Sequence, residues 1–407
     1  MNRLSILKYD LVSIGLYIGL VSFGIINIYS SSFNGYSTSL LDLSSIVGKQ
    51  IIFFFLSLVA FIFILFTRNK FFDNSASIVY FSSIILLLGL FFFGVERGGA
   101  RSWYALGPIS FQPSELAKFG TALFLSKFLS IIQTDLKRNR DILIALTIIL
   151  APLILTTIQP DPGSALIFLA FIFPVIREGL NLNYFYFGLY IISTLLLTLK
   201  FNFVVSLAIL TIIFFTYLIY LRNKKIKVSL LKYIFSFFIL ISISFSTNYL
   251  FENVLEQRHR DRINLVLGKE IDTSGIGYNI NQSKIALSNG GFFGTGFLEG
   301  TQTKGNFVPR QHTDFIFSTI GEEWGFIGPL TTIVIFSFLI IRIITRADKQ
   351  PNHFRRIYSY CFASLVFFHF FLNVGMSIGL IPSIGIPLPV SYTHLRAHET
   401  EADLVCR

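Results

Sequence analysis

Residues 277–315 read GYNINQSKIALSNGGFFGTGFLEGTQTKGNFVPRQHTDF, a glycine- and amide-rich passage too polar to cross a bilayer. It lies within the one long polar stretch of the chain, 260–328, and the sequence on either side is apolar. Of 407 residues, 53% are hydrophobic, only 14% are charged and 47 are phenylalanine, whereas a soluble domain carries about 25% charged residues. Each membrane span needs roughly 20 apolar residues. Apolar runs fall at 11–30, 47–66, 78–94, 115–132, 141–158, 163–177, 184–199, 201–221, 230–250, 315–344 and 357–381. The expected fold is an all-α polytopic membrane protein, a bundle of roughly 10–12 transmembrane helices with one long extracytoplasmic loop at about 251–313. The weakest boundary is at Lys200, where two segments read as two helices or as one broken pair.

Orientation follows from the cations, because Lys and Arg concentrate in short cytoplasmic loops. With Arg3 and Lys8 inside, the inside loops hold Arg68 and Lys70, the 137–140 segment, Arg177, the 222–227 segment and the 342–356 segment. The outer loops 31–46, 95–114 and 159–162 carry few cations, and 251–313 is long enough to be exempt. Every stretch with a chemical look then lands on the outer face. The net charge of +11 is thus an orientation signal and not a nucleic-acid footprint. The apolar run at 11–29 is too long for a signal-peptide core and no small-residue cleavage site follows, so it reads as a first span. Cys361 and Cys406 form no CxxC pair, and no phosphate-binding loop, HExxH or dinucleotide fingerprint is present, so no nucleotide is expected.

Each outer motif has a structural and a functional reading. In 98–118, GGARSWYALGPISFQPSELAK, the glycines and prolines predict a tight turn, and Trp103 and Tyr104 suit an interfacial belt. Ser114 is the expected N-cap of a helix starting at Glu115. Lys118 stands one turn on, placed to pair with Glu115; as an ionisable residue inside an apolar run it also marks a functional position. In 159–165, QPDPGSA, Asp161 and Ser164 cap the following helix. The basic run RHRDR at 258–262 is either a solvated face or a diphosphate clamp, since guanidinium forks match phosphate oxygens. Gly275, Gly277, Gly290, Gly291, Gly294, Gly296 and Gly300 permit close backbone approach, and Gln282, Ser283, Lys284 and Asn289 supply donors. His259 and His312 have no ligand cluster around them. Asp314, beside Thr313 at the start of the next apolar run, reads from spacing first as a helix-terminal residue and second as an acid for catalysis. Of the adjacent Glu322 and Glu323, at least one must be satisfied inside the bundle.

Taken together, WYALGPISFQPSELAK at 103–118, QPDPGSA at 159–165, DRINLVLGKEIDTSGIGYNINQSKIAL at 261–287, HTDFIF at 312–317, EEWGFIG at 322–328 and NVGMSIGLIPSIGIPLP at 373–389 resemble the SEDS family (shape, elongation, division and sporulation), above all its RodA branch. The resemblance covers the chain to Pro389, so 1–389 is expected to be one SEDS-type membrane domain. It implies a peptidoglycan glycosyltransferase that polymerises lipid II, for cell elongation and shape, on the outer face of the bacterial cytoplasmic membrane. The implied partner is a class B penicillin-binding protein. It further implies that Asp314 is the essential acid, that Glu115 and Lys118 pair at the start of the fourth span, and that Arg260 and Arg262 are the basic residues ahead of the long loop. Arg101, Gln282, Lys284 and His312 complete the candidate substrate-binding or supporting set. The metal is unknown, and a divalent cation, Mg or Mn, is a candidate for neutralising the diphosphate.

The chain departs from the family pattern at several points. Pro309 is followed by Arg310 where an acid is usual, Ser288 and Asn289 precede Gly290 in place of Gly-Ser, Pro162 replaces a leucine, and 184–221 adds a helix pair. After Pro389 the chain reads VSYTHLRAHETEADLVCR where the family continues into a last span, so 390–407 is expected to be a truncated or mis-assembled end. Two rival functions remain: a lipid II transporter or flippase, since intramembrane ions also mark transport paths, and a non-catalytic scaffold for the penicillin-binding protein.

Overall fold

The computed structural model describes residues 10–33, 45–67, 69–97, 99–106, 109–201, 203–223, 230–253, 255, 257–269 and 276–389. The expectations for 390–407, Arg3, Lys8, Arg68 and Gly275 lie outside the described residues. The chain divides into two compact units, one formed by 1–180 with 279–407 and the other by 181–278. In chain order the first opens with α1 (Leu11–Ser32), α2 (Ile46–Phe66) and α3 (Asn69–Phe93). A small antiparallel sheet follows, β1 (Val95–Arg97), β2 (Ala100–Leu106) and β3 (Ile109–Phe111). Next come α4 (Pro113–Ser130), α5 (Asn139–Ile158), α6 (Pro162–Phe168), a 3-10 turn (Leu169–Phe171) and α7 (Ile172–Arg177). The second unit holds α8 (Leu182–Lys200), α9 (Phe203–Asn223), α10 (Leu230–Asn253) and α11 (Gln257–Val266). The chain returns through α12 (Ile276–Asn289), α13 (Thr301–Lys304), α14 (Ile316–Trp324), α15 (Ile327–Asp348) and α16 (His353–Ser377).

The protein is an all-α polytopic membrane protein. Among the described residues seven helices, α1, α2, α3, α5, α8, α15 and α16, are long and apolar enough to cross a membrane. Side chains such as Phe55, Phe63, Ile78, Ile85 and Phe92 stand exposed on them, an arrangement that water would penalise and lipid does not. Helix starts are written locally: Asp10, Ser45 and Asn352 accept from the backbone N–H groups of Ser13, Gly48 and Arg355, satisfying donors that the first turn leaves orphaned.

Several expectations need correction. The 98–118 turn is a three-stranded sheet, because the aromatic run around Trp103 prefers extended backbone and Gly99 takes the left-handed turn position with φ +79. Trp103 is buried in the protein, while Tyr104 donates to the Leu86 carbonyl at 2.9 Å. The helix expected from Glu115 begins at Pro113, and Ser114 makes no cap; Pro113 presets the first helical φ and needs no N–H partner. The run 163–177 is interrupted by its 3-10 turn, and 315–344 is broken between α14 and α15 at Gly325. At Lys200 two helices form, α8 and α9. The passage 251–313 is not merely a loop, since it contains α11, α12 and α13.

In the first unit the two largest apolar cores among the described residues lie on α16. One joins Ile357 and Cys361 to Leu87, Leu90, Leu125 and Phe168; the other joins Val366 and Phe370 to Leu20, Ile28, Ile320 and Phe336. The two ends of this unit differ in chemistry. At one end the N-terminus of α1 meets the C-terminus of α15 through Asp10, Arg342 and Arg346 at 2.7 and 2.8 Å. Arg177 pairs with Asp348 at 2.6 Å and Arg356 with Glu178 at 2.9 Å. All these arginines belong to segments that the cation pattern assigns to one side. Since α15 and α16 each run about 33–37 Å at 1.5 Å per residue, their other ends carry the polar motifs to the opposite side. In the second unit small polar side chains line the helix contacts: Thr198 donates to Ser244 at 3.3 Å, and both are buried. Small hydroxyls of this kind let helices approach within a membrane.

The α14–α15 break depends on Gly325, whose φ is +61 and whose added Cβ would stand 2.2 Å from the Gly294 nitrogen. Gly325→Ala should cost on the order of 2–3 kcal/mol, seen as a lower melting temperature of the detergent-solubilised protein; an unchanged melting curve would show that the break tolerates a side chain.

Candidate active site

The motif end of the first unit is assembled by hydrogen bonds between segments far apart in sequence. The side-chain amide of Gln112 donates to Asp161 at 2.9 Å and lies 3.3 Å from the Ser164 hydroxyl, so the QPSE and QPDPG motifs meet. Asp161 also caps α6, accepting from Ser164 N at 3.1 Å and Ser164 Oγ at 2.8 Å, as its position predicts. Gly163 packs so closely that an added Cβ would lie 2.6 Å from the Ile384 carbonyl. On α12, Ser283 donates to the Ser377 carbonyl at 2.8 Å, tying that helix to the end of α16.

A second set of bonds folds 290–311 onto α14. Glu322 is fully buried and accepts from the backbone of Gln302 and Thr303 at 2.7 and 2.9 Å and from the Thr303 hydroxyl at 2.7 Å. A carboxylate at the start of the short α13 complements its exposed N–H groups. Glu323, also buried, accepts from the Ser30 hydroxyl of α1, and the Trp324 indole donates to Asn27 at 3.1 Å. Thus both acids of the pair find partners within the bundle, although Glu323 Oε2 accepts no hydrogen bond from the described residues. Backbone bonds from Thr295, Gly296 and Phe326 at 2.9, 3.1 and 2.9 Å close the glycine-rich loop.

Asp314 sits where these sets meet. Its residue is 2% exposed. It does not begin the helix: α14 starts at Ile316, its N-cap is Phe315, and no side chain caps it. The turn at 310–315 intervenes, with the N–H groups of Thr313 and Phe315 both donating to the Arg310 carbonyl at 3.0 and 3.3 Å. The carboxylate is therefore not used in capping. Its Oδ2 stands 3.7 Å from Arg310 Nη1, and its Oδ1 accepts no hydrogen bond from the described residues. The backbone beneath is held firmly. Buried Asn373 of α16 directs one amide hydrogen to the Asp314 carbonyl at 2.8 Å and the other to the Ile386 carbonyl at 2.7 Å. Gln311 anchors the same turn to α1, lying 2.9 Å from both the Ser31 and Thr303 carbonyls. Burial pushes His312 below its ordinary pKa; the Asp314 charge opposes this and the Arg310 charge adds to it.

Lys118 is almost wholly buried. It pairs with Glu115 at 2.7 Å, as its spacing predicts, and also contacts His369 Nε2 of α16 at 3.2 Å. His369 and Asn373 are four residues apart and so share a helix face, about 6 Å along the axis. One face of α16 thus serves both the Glu115–Lys118 pair and the Asp314 turn. Lys284 lies across Gly379, where an added Cβ would be 2.3 Å from Lys284 Cε, and Gln282 is half-buried on the same helix. Arg101 is exposed on β2, its guanidinium 3.4 Å from the Phe91 carbonyl. Arg260 and Arg262 belong to the second unit, on α11, where Arg260 donates to the Glu252 carbonyl and Gln257 at 2.8 and 2.7 Å. Gln112 and Asn373 lie inside quoted motifs without being named as candidates there, and His369 lies outside all of them, its signal being a polar residue in an apolar run.

Among the described residues no group of three or more His, Cys, Asp and Glu side chains gathers. The charged partner of Asp314 is a guanidinium, not a second carboxylate, whereas Mg²⁺ and Mn²⁺ favour oxygen donors. These residues do not make a resident site for a divalent cation, and no chemical step is drawn through one.

The family model for the FtsW, RodA and SpoVE cell cycle proteins matches residues 11–208 and 181–393. The chain is 30% identical over 325 residues to the peptidoglycan glycosyltransferase MrdB of Escherichia coli, covering 79% of this chain and 73% of that one. It is 29% identical over 406 residues to the peptidoglycan glycosyltransferase RodA of Treponema pallidum, covering 93% and 92%. Its fold is similar to a chain solved in a study of a peptidoglycan synthase complex, with TM-score 0.68, 24% identity and coverage of 98% and 96%. It is also similar to the rod shape determining protein RodA of Thermus thermophilus, with TM-score 0.57, 23% identity and coverage of 98% and 95%.

If the Asn373 amide holds the Asp314 turn, Asn373→Leu strands two buried carbonyls, each costing about 1–3 kcal/mol. Its melting temperature in detergent should fall well below that of the unmodified protein. A neutral Leu variant would mean that the bridge adds nothing to the fold.

Proposed function

Because the chain belongs to the FtsW, RodA and SpoVE family of cell cycle proteins, we propose that it is a peptidoglycan glycosyltransferase that polymerises lipid II into glycan strands. The observation that carries the reading is Asp314, a buried carboxylate on a tightly held turn with one oxygen that accepts no hydrogen bond from the described residues. In the reaction Asp314 takes the proton from the acceptor sugar hydroxyl. The acceptor oxygen bonds to C1 of the donor sugar, the C1–oxygen bond to the diphosphate breaks, and its electron pair leaves on the diphosphate oxygen. A positioned base of this kind contributes roughly 10²–10⁴-fold to rate.

The Glu115–Lys118–His369 group and the Glu322 loop anchor support the site from within the bundle. The site lies at the helix ends opposite the ion-paired ends of α15 and α16, which fits a lipid-linked substrate whose tail stays in the bilayer. With the cation-rich ends cytoplasmic, the site faces outward from the bacterial cytoplasmic membrane. The partner is a class B penicillin-binding protein, in keeping with the peptidoglycan synthase complex that gave a similar fold.

Purified protein given lipid II should make glycan strands. Asp314→Asn should reduce that rate by about 100-fold or more while keeping the melting temperature of the unmodified chain. Undiminished polymerisation by the Asn variant would remove Asp314 as the base. Lipid II crossing vesicle membranes without polymer would assign the chain to transport instead.

A further inference from the structure

The Asp314 side chain is 3% exposed, and a cation stands beside it from four residues earlier in the same turn. Arg310 Nη1 lies 3.7 Å from Asp314 Oδ2, and the Arg310 side chain is 38% exposed. That distance is an ion pair beyond hydrogen-bond length. The pairing is not the (i, i+4) contact of a helix, because Arg310 occupies the left-handed region with φ +55, a costly place for a residue with a side chain. From it the Arg310 carbonyl accepts from both Thr313 and Phe315, so one residue both shapes the turn and supplies its cation. Arginine stays protonated under all working conditions.

From this geometry we propose that Arg310 is a positioning residue for Asp314: it holds the carboxylate turned so that Oδ2 faces the guanidinium and Oδ1 faces the acceptor hydroxyl. The inference rests on the reading of Asp314 as the base. Arg310 exchanges no proton and breaks no bond. The proton passes from the acceptor hydroxyl to Asp314 Oδ1, and the diphosphate leaves with its electron pair as described.

The test is steady-state polymerisation with lipid II by the full chain in detergent. Arg310→Gln should lower kcat about 10–100-fold, part of the effect of losing the base outright, with KM changed less than about 3-fold. Arg310→Lys, which keeps the charge, should recover most of the rate. Arg310→Gly suits the left-handed backbone and should show the same kcat loss, so a misfolded Gln variant leaves the test intact. With Asp314→Asn in the background, adding Arg310→Gln should cost nothing further. An unchanged kcat in the Gln and Gly variants, or a raised KM at constant kcat, overturns the inference, the latter because it describes a substrate-binding cation. A fully active Asp314→Asn overturns the underlying reading instead, which separates the two failures.

Discussion

One side-chain amide, that of Asn373, holds together the end of the molecule where the motifs meet. Non-helical backbone at membrane depth is tolerated only where its polar groups are satisfied by protein, and two such segments run beside α16. The turn carrying Asp314 and the extended stretch around Ile386 each present a carbonyl, and Asn373 donates to both. Neither could lie against an apolar helix face without losing that partner. The position of Asp314 is thus fixed through its backbone.

The same logic governs the charges. In an apolar bundle an ionisable group is costly unless paired, and here each buried one has a distinct partner. Lys118 has Glu115 and His369, Glu322 has the N–H groups of α13, and Glu323 has a hydroxyl of α1. Three of these groups bind loop to helix or helix to helix. At Asp314 one oxygen stands 3.7 Å from Arg310 and the other accepts no hydrogen bond from the described residues, as is also true of one Glu323 oxygen.

Much of this was legible in the residues. Apolar runs located the helices to within a few positions at most boundaries, and the arginines assigned to one side meet acids at one end of the first unit. Asp161 caps as its spacing predicts, and Glu115 reaches Lys118. The failures share a cause. The breaks at 169–171 and Gly325 lie inside continuous apolar runs, where hydropathy has no term for backbone direction. The sheet at 95–111 arises from pairing between strands, and the early start of α4 from Pro113. For Asp314 the local rule pointed to capping, because Thr and Asp before an apolar run ordinarily cap; the Arg310 turn moved the helix start two residues on.

Composition and spacing by themselves determined that the chain crosses the membrane, which ends of its helices share a side, and which motifs carry polar chemistry. These properties are local sums, in which each residue contributes without regard to distant neighbours. Only the tertiary structure decided that Asn373 supports Asp314 from 59 residues away, that His369 completes the Lys118 pair across 251, and that Asp314 is exempt from capping. Such contacts depend on which faces of which helices meet. In a bundle whose lipid and core surfaces are equally apolar, hydropathy cannot tell those faces apart; packing and the need to satisfy every buried polar group do.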